Sequence, residues 1–150
     1  MTEIVESVEI SRRPEDVFSY AIDFSHFPDW QGGVVSARRE STGPLAVGSR
    51  ALVTRRAGPR TLLRTEEITE LSPPRTWTVR GVGGPFTAIG KGRIESLDNG
   101  TRSRLTIALR FEAHGIGRLL LLLLLVIRRQ ARKQLARNGQ QLKELLERGA

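Results

Sequence analysis

Ile116, Gly117 and Arg118 lead into an unbroken apolar run, Leu119 to Ile127, which Arg128, Arg129, Arg132 and Lys133 close. The run has nine residues. A helix rises about 1.5 Å per residue, so the run covers about 14 Å. A bilayer core is about 30 Å thick and takes about 20 apolar residues to span. The stretch therefore reads as the first half of a long helix buried in a globular domain. Leu120, Leu124, Ile127, Ala131, Leu135, Leu142 and Leu145 recur at spacings of three, four and seven. They form one apolar stripe that extends the helix to about Arg148. Asn138 and Gly139 are expected to be a weak point inside it.

Upstream of this helix the sequence has the rhythm of strands. Residues 3 to 10 alternate between polar and apolar, as a half-buried strand does. Pro14, Glu15 and Asp16 then suit a first helical turn, and Val17, Phe18, Tyr20, Ala21 and Phe24 keep helical spacing. His26 to Trp30 reads as a second short helix, broken by Gly32 and Gly33. Six strands are expected next: Val34–Glu40, Ser49–Arg56, Thr61–Leu71, Thr76–Gly81, Phe86–Leu97 and Thr101–Phe111. The turns between them carry Gly-Pro, Pro-Pro and Asn-Gly pairs. Gly81, Gly83 and Gly84 read as one such turn, since no helix follows to make a nucleotide fingerprint. Consecutive strands joined by tight turns make an antiparallel sheet, and one sheet with one long helix makes an α+β domain. Residues 1 to 150 are expected to form a single domain.

Bulk composition narrows the function classes. The absence of cysteine excludes a disulfide scaffold, a thiolate metal site and a cysteine nucleophile. The acidic, alternating N-terminus reads as neither a signal nor a transit peptide, so the chain is expected in the cytoplasm, with possible peripheral contact with a membrane. A formal net charge of +8 attracts anionic partners. With only 5% aromatic residues and no recognition motif, however, nucleic acid is not expected among them. Arg greatly outnumbers Lys, which also fits a compositional bias without function.

Four stretches together resemble the START-like superfamily of polyketide cyclases, dehydrases and lipid-transport proteins. They are Arg13-Pro14-Glu15-Asp16-Val17-Phe18 after the opening strand; Asp23-Phe24 with Phe27-Pro28-Asp29-Trp30; Leu71-Ser72-Pro73-Pro74-Arg75-Thr76-Trp77; and Gly100-Thr101-Arg102 leading to the Gly-started helix that ends Leu142-Lys143, Leu145-Leu146-Glu147. The resemblance implies a helix-grip fold: a curved seven-stranded antiparallel sheet around the C-terminal helix, with two short helices after the first strand and an apolar cavity between sheet and helix. It does not imply one activity, since the fold hosts carriers and enzymes alike.

Candidate cavity residues follow from strand parity and from that fold. Phe27 and Trp30 would border the cavity mouth. Trp77 shares a face with Val79, and Phe86 with Ala88, Gly90, Gly92 and Ile94. Three small residues on one face suit either a ligand or close packing of the helix. Phe111, Leu120, Leu124 and Ile127 complete the apolar wall. Arg64 and Glu66 share the parity of Ile68, so either they face inward and must pair or meet a ligand, or a bulge turns them to solvent. His26 and His114 have no metal-ligand spacing, and no metal or cofactor is expected. Leu121, Leu122 and Leu125 fall on the back of the helix beside arginines. A second copy of the chain or an anionic membrane would cover them.

The functional expectation is binding or transport of a small hydrophobic ligand: a lipid, an isoprenoid or a polyketide-like aromatic. Two alternatives stand beside it. One is a polyketide cyclase or dehydratase using Glu66, Arg64, His26 or Tyr20. The other is a peripheral membrane protein or quinone chaperone.

Overall fold

In the computed structural model residues 3–40, 42–83, 86–113 and 121–149 are described, with backbone only at 57, 86, 113 and 121–127. The elements run β1 (Ile4–Ile10), α1 (Pro14–Ile22), a 3-10 turn (Phe24–His26), α2 (Phe27–Trp30), β2 (Val34–Arg39), β3 (Arg50–Ala57), β4 (Arg60–Ser72), β5 (Thr76–Val82), β6 (Phe86–Leu97), β7 (Arg102–Ala113) and α3 (Leu121–Arg148). The seven strands form one sheet in the order β1-β7-β6-β5-β4-β3-β2, and every pair is antiparallel. This is the expected helix-grip arrangement. No described helix is long and apolar enough to cross a membrane.

Local chemistry accounts for the boundaries. Arg13 is extended at φ −65°, ψ 150°, Pro14 opens α1, and Glu15 and Asp16 occupy its first turn. A proline there loses no hydrogen bond, and the acids meet the positive helix end. Between β6 and β7, Asp98, Asn99 and Gly100 take φ values of 50°, 57° and 86°. Asn and Gly tolerate that left-handed region better than other residues, so this sequence turns where others would not. Register shifts between Val34 and Ser36 and between Ile68 and Glu70 are bulges, which bend strands and increase twist. Gly81, expected both as the last residue of the Thr76–Gly81 strand and as part of the following turn, belongs to β5, paired with Glu66 and Ala88, and the strand continues to Val82.

The core joins the sheet to all three helices. Ile10, Val17, Phe24, Ile68, Leu105 and Leu142 are almost completely buried. Each such side chain contributes about 1.5–3 kcal/mol of burial free energy. Among the described side chains of α3 the buried apolar residues are Leu135, Leu142 and Leu146, with Leu145 half-buried. The expected weak point at Asn138–Gly139 proves to be an anchor. Gly139 is buried, and a Cβ there would stand 3.4 Å from Val8 Cγ1, at ordinary contact distance, so α3 passes close over β1 at this turn. Asn138 Oδ1 accepts hydrogen bonds from the Gly32 N–H at 2.9 Å and from Gln134 Nε2 at 2.8 Å.

The last turn of α3 is tied to the β1–α1 junction. Arg12 Nη1 donates to the Leu146 carbonyl at 2.7 Å, and the Ser11 N–H to Glu147 Oε2 at 2.8 Å. Lys143 Nζ donates both to Glu147 Oε2 and to the Glu9 carbonyl. The Lys143 ammonium, and after it the Ser11 N–H, hold the Glu147 carboxyl below its ordinary value of 4.5. A carboxyl lowered by folding adds stability that is complete above the ordinary value. The gain disappears as pH falls through the lowered one.

Two predictions follow from this packing. Glu147→Gln should lose about 0.5–1 kcal/mol of stability near neutral pH in urea denaturation, and the difference from the parent should close as pH drops below 4.5. Gly92→Ala would push a methyl into the Trp77 indole lying over it, whereas a Cβ at Gly90 meets nothing within 4 Å among the described residues. The first substitution should cost about 1–3 kcal/mol and the second less than about 0.5 kcal/mol, read from denaturant midpoints.

Candidate functional site

Strand parity decides which side chains face α3. Ile68 is completely buried and marks the inner face of β4. Arg64 and Glu66 share its parity and follow it inward, at 9% and 4% exposure. The bulge that would have turned them to solvent lies past Ile68 and leaves them in register with Val53 and Ala51 of β3. On β5 the same face carries Trp77, Val79 and Gly81, opposite Gly92, Gly90 and Ala88 of β6. Trp77 fills the space above Gly92 and meets Phe18 edge-on at 5.6 Å. Among the described residues nothing lies within 4 Å of where a Gly90 Cβ would stand.

A cavity of about 260 Å³ lies there. Its sheet side is apolar: Trp77, Val79, Ala88, Ile107, Leu109 and Phe111. Ala21 of α1, Phe27 and Trp30 of α2 and Leu135 of α3 face them. Phe27 packs edge-on to Trp30 at 6.2 Å, and both are buried. Of the residues named from sequence, Phe27, Trp30, Arg64, Glu66, Trp77 and Phe111 come together on this wall. Leu120 falls outside the described residues, and so do the side chains of Phe86, Leu124 and Ile127. The same holds for Leu121, Leu122 and Leu125, the proposed back of the helix, and for His114.

Polar groups gather where β3, β4 and β5 meet the end of α2. Arg55 Nε donates to Glu66 Oε2 at 2.8 Å, and Arg55 Nη2 to Gln31 Oε1 at 3.0 Å. Arg64 Nη2 donates to the Gly81 carbonyl at 2.8 Å. Burial is the main influence on the Arg64 guanidinium and lowers its pKa. The Glu66 carboxylate pulls the value back up, and the Arg55 charge pushes it down. Close by, the Trp30 indole N–H is buried without a hydrogen-bond partner among the described residues.

Arg55, Gln31 and Asn138 were missed in the sequence reading, although all three line the cavity. Arg55 had a readable signal. It shares the parity of Ala51 and Val53, both completely buried. Gln31 and Asn138 had none, because a turn and the course of a long helix bring them there.

The other sequence candidates form a separate cluster away from this wall. Tyr20 stacks on His26 at 4.0 Å and donates its hydroxyl proton to Asp29 Oδ2 at 2.9 Å. Burial, then that hydrogen bond and the charges of Asp29 and Asp23, push the Tyr20 pKa up to about 12. Among the described residues no group of three His, Asp or Glu side chains could hold a metal ion. The site therefore offers an apolar chamber with a charged, hydrogen-bonding end. Apolar walls drive binding and a few fixed polar groups orient what is bound.

Comparison with known proteins agrees with this geometry. A protein from Thermus thermophilus superposes with a TM-score of 0.77 at 17% identity, covering 99% of each chain. The Zhui aromatase/cyclase from a Streptomyces species does so with a TM-score of 0.77 at 14% identity, over 98% of this chain and 94% of that one. A START superfamily protein from Mycobacterium smegmatis follows with 0.68 at 15% identity, over 93% and 98%. At such identities the likeness establishes the fold alone. No curated protein matches in sequence. The model of one family, however, matches residues 1–147, and the chain belongs to that family: polyketide cyclase / dehydrase and lipid transport.

Proposed function

We propose that the protein binds a small hydrophobic ligand in the cavity between the sheet and α3 and holds or carries it without transforming it. One observation carries the reading. Gly90 leaves room on a face whose neighbours are aromatic and aliphatic, while the adjacent Gly92 is filled by Trp77. A volume of about 260 Å³ lies near the small end of ligand pockets, which span about 300–1,000 Å³, and so suits a compact ring system or short chain. A binding role fits better than a cyclase or dehydratase role. Tyr20 and His26 are engaged with each other and with Asp29 away from the wall, and the Glu66 carboxylate is held by Arg55.

Fluorescence titration with N-phenylnaphthylamine, a neutral apolar probe, should give saturable binding to the parent protein. Gly90→Leu should fill the cavity, keep the fold by circular dichroism and weaken the probe by at least about tenfold. Equal binding by the two proteins would remove the cavity as the site.

A second contact, with an anionic membrane surface, is favoured by the charges on α3. Arg129, Arg132, Lys133 and Arg137 are exposed, and none is within ion-pair distance of a carboxylate among the described residues. Arg50, Arg102, Arg104 and Lys143, by contrast, all have acidic partners. Basic side chains near an anionic bilayer contribute about 1 kcal/mol each. The parent should float with phosphatidylserine vesicles at low salt, and changing all four residues to Gln should abolish flotation. A parent that stays with the unbound fraction rules this contact out.

A further inference from the structure

We infer that the ligand carries one anionic oxygen group, such as a carboxylate, sulfonate or enolate, seated at the Arg55–Arg64–Glu66 end of the cavity. This deepens the ligand-binding reading above and rests on it. The argument is one of charge. Arg55 and Arg64 bring two positive charges to the wall, and Glu66 is the only acidic side chain among the described residues that line it. Every Asp and Glu of the chain lies among the described residues, so none of the remaining ones brings a carboxylate side chain. Gln31 and the Gly81 carbonyl hydrogen-bond the guanidiniums but are neutral, so they cancel no charge. Lys91 also borders the cavity, with an exposed side chain, and adds to the same sign.

The cluster is therefore one negative charge short, beside walls that exclude water. Arg64 is 9% exposed and Glu66 4%. Positive charge in excess at a buried site is costly, and an entering anion would balance it with charge-assisted hydrogen bonds. The buried Trp30 indole N–H, without a partner among the described residues, is a further donor on the same wall. A carboxylate or sulfonate has several acceptor sites and can meet both kinds of donor. The apolar body would lie toward Gly90, Val79 and Phe111.

The test uses two fluorescent probes with one skeleton. Anilinonaphthalene sulfonate is N-phenylnaphthylamine with a sulfonate added. Arg64→Met should weaken the sulfonate about tenfold and leave the neutral probe within about twofold. Glu66→Gln makes the cluster more positive and should tighten the sulfonate, again with little effect on the neutral probe. A structural role alone would not produce opposite signs for one probe and no change for the other. Should Arg64→Met fail to fold by circular dichroism, Arg55→Met carries the same expectation. Parallel shifts of both probes, or weaker sulfonate binding in Glu66→Gln, would overturn the inference while leaving the binding reading intact. Failure of both probes to bind the parent would overturn the binding reading and this inference with it.

Discussion

The close approach of α3 to β1 is the contact on which the rest of the architecture depends. A lone helix in the concavity of a sheet has no second helix to lean on. Its position is set by the few places where it touches the sheet and its flanks. The helix passes over Val8 at Gly139, and Asn138 ties the same turn to Gly32 just past the end of α2. Leu142 and Leu146 bury the next turn, and Arg12, Ser11, Lys143 and Glu147 bind the last one to the β1–α1 junction. With the C-terminal half held so firmly, Leu135 and Asn138 are fixed as part of the cavity wall.

The cavity is a consequence of unequal filling along one sheet face. Cores pack to the density of organic crystals, so a small residue is normally matched by a large one opposite. That happens at Gly92, where Trp77 takes the space and is braced by Phe18. Among the described residues it does not happen at Gly90, one step along the same face. The missing contacts cost dispersion energy, and the charged cluster beside them adds a desolvation cost. A protein that tolerates both in the middle of its fold trades stability for a chamber with one polar end. This is the usual relation between a binding site and the core it interrupts.

Much of the architecture was legible in the sequence because it rests on local periodicity. Alternation in residues 3–10 and 101–111, Asn-Gly at the last hairpin, Pro14 with two acids after it, and the stripe ending at Leu145 each follow from the geometry of a single element. Parity also grouped Trp77 with Val79 and Arg64 and Glu66 with Ile68, leaving open whether the two charges face inward or to solvent, and it would have grouped Arg55 with Ala51 and Val53 had it been applied to β3. Three matters were decided only by the tertiary structure, because they depend on which atoms of distant elements meet. The sequence could not say whether a β4 bulge fell between Glu66 and Ile68 or past Ile68, and that choice decides whether two charges face solvent or the cavity. It could not distinguish Gly90 from Gly92, since the difference is where the Trp77 ring lies. And it made Asn138–Gly139 a flaw in a helix. By propensity it is one, but the hydrogen bond from the Gly32 N–H to Asn138 Oδ1 and the contact of this turn with Val8 hold it in place, and contacts across the fold are not written in local preference.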